Sequence, residues 1–384
     1  MTVLVVGAGL GGLTAAIALR RAGIPVEVHE AARVIESSGA GLTLGLGAQH
    51  VFRELGLQDR VAALACPAGA LPFLHCRTGE ILLGALDRGD GLPDSGTANI
   101  VRHVYRADLQ NVLVAALREA GGTIVAGHRL TKFDPAGADV NARFADGASV
   151  RGDLLIGADG VRSVVRAALF PDDRPRFTGH VAYRFLVTRE RAEPYLSHGR
   201  SAIFIGPGRT FNRYTMARGE IVNVAALVES SKEVPEGWRT AAAPGELRSA
   251  FAGWHPDVTG LIDQAEGVIK WGLYDRAPLP FWSAGRVTLL GDAAHAMLPF
   301  LGMGAAMAVE DGWALAQTLA RENDVARALV RYETARLPRT AEVHRRSAEQ
   351  GRITQALDPD AFSLAGAPVN DRAMMEFNPV AAGV

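Results

Sequence analysis

The first thirty residues alternate between apolar runs and glycine-rich turns in a way that predicts two strands joined by a helix. Val3–Val6 is an unbroken apolar run ending at glycine, which is typical of a strand buried on both faces. Leucine, isoleucine and alanine then recur through residues 13–19 and indicate a helix that stops before Pro25. Val26–Glu30 predicts a second strand, so the chain opens with a βαβ unit.

A different rhythm follows residue 128, where short apolar and polar alternations predict strands. Segments 129–133, 140–144 and 149–156 are separated by turn residues and predict a meander that runs into a buried strand at 154–156. Four more strands are predicted, over residues 181–187, 202–205, 212–217 and 221–227. Helices are predicted near 245–253 and 311–321 and over 325–350, before a Pro- and Ala-rich tail that begins at residue 358.

Composition narrows the possible partners. Hydrophobic residues make up 48% of the 384 positions, charged residues 21%, and the formal net charge is -1, so nothing indicates binding to nucleic acid or an anionic membrane. The two cysteines, Cys66 and Cys76, fit no zinc or redox spacing, and no metal site is expected. Met1 leads almost directly into the first strand and no span is predicted, so we expect a cytoplasmic protein with a small-molecule partner.

The first turn has the form Gly7-x-Gly9-x-x-Gly12 and lies between a predicted strand and a predicted helix. In that setting Gly7 permits the turn, Gly9 lets a pyrophosphate approach, and Gly12 lets the helix pack closely. The free N–H groups around Leu10 and Gly11 then face the negative charge.

Glu30 closes the second strand and strengthens this interpretation. Its carboxylate can accept both hydroxyls of a ribose, and its charge disfavours a 2′-phosphate, so NADP is not expected there. A glycine turn without a ligand is the alternative, which the strand, the helix and Glu30 together disfavour. These features predict a dinucleotide, and they leave NAD and FAD open.

Two later segments also end a predicted strand with an aspartate. Ala158-Asp159-Gly160 follows one buried strand and Gly291-Asp292 follows another. Such carboxylates lie at the carboxyl edge of a doubly wound sheet, where an aspartate can bind a polyol chain. Pro299 and a glycine-rich helix start follow, and they can offer N–H groups to an electron-rich ring edge.

In this order the three motifs resemble those of the class A flavoprotein aromatic hydroxylases, the p-hydroxybenzoate hydroxylase-like monooxygenases. The resemblance covers about residues 3–340 and is greatest to the short salicylate, 3-hydroxybenzoate and 6-hydroxynicotinate hydroxylases. It implies an α/β fold: a Rossmann-like FAD-binding domain of the glutathione-reductase type, an inserted β-sheet substrate domain and C-terminal helices. We expect the FAD-binding domain over residues 1–177 and 281–350, with the meander near 128–157 inside it. The substrate domain is expected over 178–280, with part of 45–100 contributing to it, and the tail over 351–384.

The resemblance also assigns residues to the cofactor. It implies that Glu30 holds the adenosine ribose, Asp292 the ribityl chain and Arg106 the flavin chain. Asp159 would serve both FAD and the nicotinamide donor. Met303 departs from the glutamine that the family commonly has. The expected FAD-binding residues are Gly7, Gly9, Leu10, Gly11, Gly12, Glu30, Ala31, Arg33, Arg106, Leu130, Asp159, Asp292, Gly302, Met303, Gly304 and Ala305.

The function implied by the resemblance is hydroxylation of a small aromatic or heteroaromatic substrate, phenolic or hydroxypyridine-like. NADH or NADPH would reduce FAD, and O2 would then form a flavin C4a-hydroperoxide that transfers oxygen. The alternative is an FAD-dependent reductase or oxidase of another class, or a flavin-binding protein without catalysis. The resemblance leaves the monomer and the homodimer equally open.

Candidate pocket residues lie on the middle strands. Tyr214 and Tyr183 are candidates for a base or proton relay, beside Pro299 at the flavin, while Arg184 and Arg213 could bind a substrate carboxylate. Neighbours on a strand point to opposite faces, so Tyr183 and Arg184 cannot both enter one pocket. The alternative is that these residues have only packing or surface roles.

Overall fold

The computed structural model shows how the βαβ beginning is built into a five-stranded parallel sheet. It describes residues 1–35, 41–69, 71–83, 101–137, 139–234, 240–243, 245–356, 358–359, 362 and 372–383. The strands, numbered along the chain, are β1 (Val3–Val6), β2 (Val26–Glu30), β3 (Gly41–Leu44), β4 (Cys66–Pro67), β5 (Phe73–His75), β6 (Ile81–Leu83), β7 (Arg102–Tyr105), β8 (Thr123–Ala126), β9 (Leu130–Ala136), β10 (Asp139–Phe144), β11 (Ser149–Gly152), β12 (Leu154–Gly157), β13 (Arg176–Thr188), β14 (Ser201–Gly206), β15 (Arg209–Met216), β16 (Ile221–Glu229), β17 (Thr240–Ala241), β18 (Glu266–Asp275) and β19 (Val287–Leu289).

Helices cover the sheets and connect them. The α-helices are α1 (Leu10–Arg21), α2 (Leu46–Glu54), α3 (Gln58–Ala62), α4 (Arg106–Glu119), α5 (Val164–Leu169), α6 (Arg189–Ala192), α7 (Glu246–Ala250), α8 (Pro256–Asp263), α9 (Asp292–His295), α10 (Gly304–Arg321), α11 (Val325–Thr354) and α12 (Arg372–Met375). Short 3-10 turns cover Glu193–Tyr195, Ala217–Gly219 and Pro299–Leu301. Within the described ranges, no helix combines the length and the apolar character that crossing a membrane would require.

The parallel sheet has the order β19-β12-β1-β2-β8, with the first strand of the chain at its centre. Val3 pairs with Leu154 on one side and with Val26 on the other. All four residues of β1 are buried, since α1 packs on the face that carries Val5 and strand β11 packs on the face that carries Leu4. The carboxyl ends of β1, β12 and β19 therefore meet at one edge, where Gly7, Ala158 and Leu290 follow.

The largest sheet is a second, eight-stranded one, with the order β17-β18-β13-β16-β15-β14-β5-β6. One face packs against α7 and α8 through an apolar cluster that includes Phe211 and Phe251. The other face turns toward the parallel sheet and carries residues that line a cavity. Strands β5 and β6, which come from the segment between residues 45 and 100, extend this sheet at one edge through pairing of β5 with β14.

Two three-stranded sheets complete the fold. The meander β11-β10-β9 lies beside the parallel sheet, and the sheet β3-β7-β4 lies between the parallel and the eight-stranded sheets. The predicted strand over 149–156 is in fact two strands, since it breaks at Asp153 and passes from the meander into the parallel sheet. Glycines explain how closely α1 packs on α10, because a Cβ at Gly312 would lie 2.7 Å from the main-chain nitrogen of Ala15.

The predicted helices are present with shifted bounds. The helix expected near 245–253 is the shorter α7, and the one expected over 325–350 is α11, which runs to Thr354 despite Pro338 inside it. Cys66 and Cys76 are both free and buried. Much of the tail expected over 351–384 lies outside the described residues.

Candidate active site

The three glycines of the first turn have different surroundings. A Cβ on Gly7 would lie 2.3 Å from the carbonyl oxygen of Ala158. The backbone angle φ at Gly7 is +109°, a value that residues with a side chain rarely adopt. A Cβ on Gly12 would lie 2.2 Å from the carbonyl oxygen of Gly7. At Gly9 a Cβ would meet nothing within 4 Å. The backbone is therefore tightly packed at Gly7 and Gly12 and open at Gly9, which is the arrangement that a bound pyrophosphate needs.

Glu30 is held at the end of β2 by main-chain amides. Its Oε2 accepts a hydrogen bond from the N–H of Ala8 at 2.8 Å, and its Oε1 accepts one from the N–H of Ala32 at 2.8 Å. Each carboxylate oxygen has a further lone pair. The fixed carboxylate can therefore accept hydrogen bonds from a ribose beside the glycine turn.

A pair of histidines that the sequence did not single out lies at the same end of the cavity. Nδ1 of His29 and Nδ1 of His128 are 2.9 Å apart, and the His128 ring stacks on Phe144 with centroids 4.0 Å apart. Burial and the neighbouring His128 lower the pKa of His29 to about 4. The signal was hidden because the two residues are 99 positions apart and join β2 to the meander.

Asp159 has a different local role from the one expected. Its carboxylate accepts hydrogen bonds from the Ser163 hydroxyl at 2.5 Å and from the N–H groups of Val164 and Val165 at 2.7 and 3.3 Å. These contacts occupy the side chain at the start of α5. Asp159 therefore lines the cavity as a residue whose carboxylate orders the turn at the start of α5.

The second aspartate turn leaves its side chain free. Asp292 is exposed at the start of α9, and Gly291 before it has φ of +61°. The 3-10 turn Pro299–Leu301 and Gly302, with φ of +66°, then lead into α10. The first N–H groups of a helix have no partner within it, so those around Gly304 and Ala305 can bind a polar ring edge.

A buried ionic cluster supports this turn from behind. Asp311 accepts hydrogen bonds from the N–H of Gly291 at 3.0 Å, from Nε of Arg336 at 2.8 Å and from Nε2 of His295 at 2.5 Å. Burial acts to raise the pKa of Asp311, but His295 and Arg336 hold it at about 2. His295 therefore has a structural role in positioning the Gly291 turn.

One cavity of about 630 Å³ connects the glycine turn to the eight-stranded sheet. Most of the residues expected to bind FAD line it. The exceptions are Arg33, which is exposed, and Met303, which is buried against the core. The expected residues that line the cavity are Gly7, Gly9, Leu10, Gly11, Gly12, Glu30, Ala31, Arg106, Leu130, Asp159, Asp292, Pro299, Gly302, Gly304 and Ala305.

On the sheet side of the cavity, the side chains of Arg184 and Tyr214 lie close together. The pKa of the Tyr214 phenol is raised by burial, an effect that the charge of Arg184 opposes. The Arg184 guanidinium lies over the Trp271 ring, 5.7 Å from its centroid, and its Nε has no hydrogen-bond partner among the described residues. Burial lowers the pKa of Arg184, and the nearby Arg106 lowers it further.

Tyr183 and Arg213 are corrections to the expected site, because their side chains lie on the opposite face of the sheet. The Tyr183 hydroxyl donates to Glu246 at 2.6 Å. Arg213 donates to the carbonyl of Gly199 at 2.6 Å and lies 3.6 Å from Asp257. Strand alternation separates them from Arg184 and Tyr214, so only their backbone faces the cavity.

His103 lines the cavity although it belongs to no motif of the sequence. It lies on β7, is 2% exposed, and stacks on Tyr214 with ring centroids 4.0 Å apart and planes 20° apart. Burial lowers its pKa to about 3. No sequence signal places it here, because the contact depends on packing of the small sheet against the large one.

Comparison with known proteins agrees with this geometry. A family model described as an FAD binding domain matches residues 1–347. The 3-amino-4-hydroxybenzoate 2-monooxygenase of Streptomyces platensis is 38% identical over 354 residues, covering 90% of this chain and 87% of that protein. The 6-hydroxynicotinate 3-monooxygenase of Pseudomonas fluorescens is 34% identical over 363 residues, covering 92% of each.

Among solved structures, the Klebsiella pneumoniae HpxO protein in complex with FAD and uric acid is similar across nearly the whole fold. The TM-score is 0.81 at 28% identity, over 98% of this chain and 93% of that one.

Proposed function

The chain belongs to the FAD-dependent aromatic hydroxylases, and from this premise we propose that its substrate is a small hydroxylated aromatic or heteroaromatic carboxylate. The proposal concerns the class of substrate and the residues that bind it. It rests above all on Arg184, a guanidinium that lies in the cavity wall without a carboxylate partner among the described side chains.

The residues present fit FAD along the length of the cavity. The open backbone at Gly9, the fixed Glu30 carboxylate and the exposed Asp292 match a pyrophosphate, a ribose and a ribityl chain in turn. When bound, FAD carries electrons from NADH or NADPH and activates O2 for oxygen transfer to the ring. The turn from Pro299 to Gly302 would orient the ring edge of the cofactor through main-chain N–H groups.

The charges on the cavity wall favour an anion at the sheet end. The acidic lining residues, Glu30, Asp159 and Asp292, all lie at the expected FAD end. Arg184 lies at the other end, and a partly buried cation of this kind is costly unless an anion pairs with it. A ring carboxylate supplies that anion and can accept two parallel N–H bonds from the guanidinium.

Apolar residues line the rest of the cavity, where they define its shape and exclude water. Trp271 and Leu273 line the cavity from β18, next to the strand that carries Arg184, and Phe73, Met297 and Leu298 also line it. Apolar walls hold a flat ring and exclude water, which would otherwise favour release of the reduced oxygen as H2O2 before it reached the substrate. Tyr214 is the proposed hydrogen-bonding group for the ring, since its phenol lies between Arg184 and His103.

We extend the proposal to the division of the chain. Residues 1–177 and 281–350 would form the FAD-binding part, and 178–280 with β5 and β6 would form the substrate sheet. This division follows the sheets, with the cavity between them.

The experiment measures ligand binding to the FAD-loaded enzyme by the change in flavin absorbance. Ligands are monohydroxybenzoates and the matching carboxamides, which lack the negative charge. Arg184→Met should weaken binding of the carboxylate about 30-fold or more, because a buried charge pair costs on the order of 2–5 kcal/mol to break. Binding of the carboxamide should change less than threefold.

Arg191→Met is the control, since Arg191 is exposed and far from the cavity lining. Equal loss of carboxylate and carboxamide binding in Arg184→Met would show that Arg184 shapes the pocket without recognising charge. Unchanged carboxylate binding would remove the proposed substrate class.

A further inference from the structure

His103 occupies the boundary between the expected flavin site and the substrate sheet. Its Nδ1 lies 3.4 Å from the hydroxyl oxygen of Thr43 on the neighbouring strand β3. The Thr43 side chain in turn lies against Gly302, where a Cβ would be 3.4 Å from it. On its other side, the His103 ring stacks on Tyr214. One imidazole therefore connects the turn before α10 with the wall that we assign to the substrate.

The second ring nitrogen of His103 has no partner within the described part of the chain. Nε2 makes no hydrogen bond there and has no exposed surface although the residue lines the cavity, so a ligand atom reaches it only when a neighbouring side chain moves. A buried polar atom left in this way costs about 1–3 kcal/mol. Such atoms in native proteins require an explanation, and a ligand that completes the hydrogen bond is one.

We propose that His103 determines specificity by accepting a hydrogen bond from the hydroxyl substituent of the aromatic substrate. The inference rests on the proposed function, since it assumes a ring held by Arg184 through its carboxylate. Arg184 and His103 then recognise two different substituents, with Tyr214 between them. The inference thus assigns to His103 the recognition of the ring hydroxyl, and to Arg184 that of the carboxylate.

The role is one of recognition and not of proton removal. Burial keeps the imidazole neutral at all ordinary pH values, so it is a weak base toward a phenol. A neutral nitrogen can still accept a hydrogen bond, and a site built around such a bond rejects analogues that lack the donor. Stacking on Tyr214 fixes the plane of the ring and hence the direction of that bond.

The test uses the FAD-loaded enzyme and four variants of one probe: the best-bound monohydroxybenzoate, its methyl ether, its carboxamide, and the methyl ether of the carboxamide. Dissociation constants give a hydroxyl preference and a carboxylate preference separately. Wild-type enzyme should prefer hydroxyl over methoxy by about tenfold or more. His103→Phe retains a flat ring for stacking and should lose that preference, to within about twofold, while its carboxylate preference stays unchanged.

His103→Gln is the matched variant, because its side-chain oxygen can accept a hydrogen bond, and it should recover part of the hydroxyl preference. A hydroxyl preference that survives in His103→Phe would overturn the inference. If His103→Phe fails to retain FAD, a crystal structure of the wild-type enzyme with the hydroxybenzoate decides. A hydroxyl oxygen about 3 Å from Nε2 supports the inference, and a hydroxyl directed elsewhere refutes it.

The two proposals fail in different measurements. Loss of the carboxylate preference is tested in Arg184→Met, whereas the hydroxyl preference is tested in His103→Phe. If the wild-type enzyme shows no carboxylate preference, the proposed function is contradicted. The role of His103 is then still tested by comparing the hydroxyl preference of wild type and His103→Phe.

Discussion

At the scale of single residues, the first turn separates packing from binding in neighbouring glycines. Gly9 has a φ of -73°, which any residue adopts, and open space where its Cβ would be. Gly12 has no such space, since its Cβ would lie 2.2 Å from the carbonyl oxygen of Gly7. The same chemical change, one added methyl group, should therefore have different consequences at the two positions.

We expect Gly9→Ala to fold normally and to weaken FAD binding by about tenfold or more, because the methyl group enters the space for the pyrophosphate. Gly12→Ala should instead lower the melting temperature of the apoprotein by several degrees, since overpacking costs about 1–3 kcal/mol. Thermal unfolding of the apoprotein and FAD titration measure the two effects. Equal loss of stability in both variants would contradict this separation.

At the scale of elements, α11 is fixed to α10 by a buried guanidinium. Arg336 donates to Asp311 and to Glu310, both at 2.8 Å, and all three side chains are no more than 2% exposed. Arg339 adds a second contact to Glu310 from the next turn of α11. Because Asp311 also holds the N–H of Gly291, the same cluster joins helix packing to the turn that presents Asp292.

We expect Arg336→Met to reduce the free energy of unfolding by about 3–5 kcal/mol, since it removes the cation that two buried carboxylates share and leaves Glu310 with Arg339 and Asp311 with His295. Arg331→Met is the control, because Arg331 is mostly exposed and its nearest Glu322 oxygen is 4.0 Å away, so it should change stability by less than about 1 kcal/mol. Urea unfolding measures both. A small effect of Arg336→Met would show that the cluster contributes little net stability.

A second connection between elements is sensitive to pH. The pKa of His29 in the folded chain is about 4, below its ordinary value of 6.5. The unfolded chain therefore takes up a proton as the pH falls through 6.5, while the folded chain resists until about pH 4. Above pH 6.5 the lowered pKa of His29 does not reduce the free energy of unfolding. As the pH falls from 6.5 to 4, this free energy decreases progressively, by about 2–3 kcal/mol.

His29→Gln removes this titration, so it should reduce the stability lost between pH 7 and pH 4 by about that amount. Urea unfolding at both pH values, in wild type and variant, isolates the contribution because the other histidines are unchanged. Parallel curves for the two proteins would show that His29 does not titrate in this range.

At the scale of the whole molecule, the elements with strong local signals could be predicted and their assembly could not. Periodicity and glycine turns identified the βαβ beginning, the meander and four strands of the large sheet, β13 to β16, because these depend on nearby residues. The sheet β3-β7-β4 and strands β5 and β6 were not predicted, since these strands are two to four residues long, although part of 45–100 was expected to contribute to the substrate domain.

The site shows the same limit. Glu30 and Asp292 could be expected at the cavity from their motifs, whereas strand alternation left open which of Tyr183 and Arg184 faces it. The roles of Tyr183 and Arg213 could not, since the choice of face depends on which side of the sheet α7 and α8 cover. Asp159 looked like a ligand-binding carboxylate, and only the fold reveals that it caps α5.

Strand β7 has a consequence for how the cofactor and the substrate affect each other's affinity. It carries His103 toward the proposed substrate, and Arg106 follows three residues later toward the expected cofactor. If binding of one ligand fixes this segment, the other ligand finds it already ordered. Thermodynamic reciprocity then requires that the substrate raise the affinity for FAD by the same factor by which FAD raises the affinity for the substrate. The protein would thus hold its cofactor most tightly when there is a substrate to oxidise.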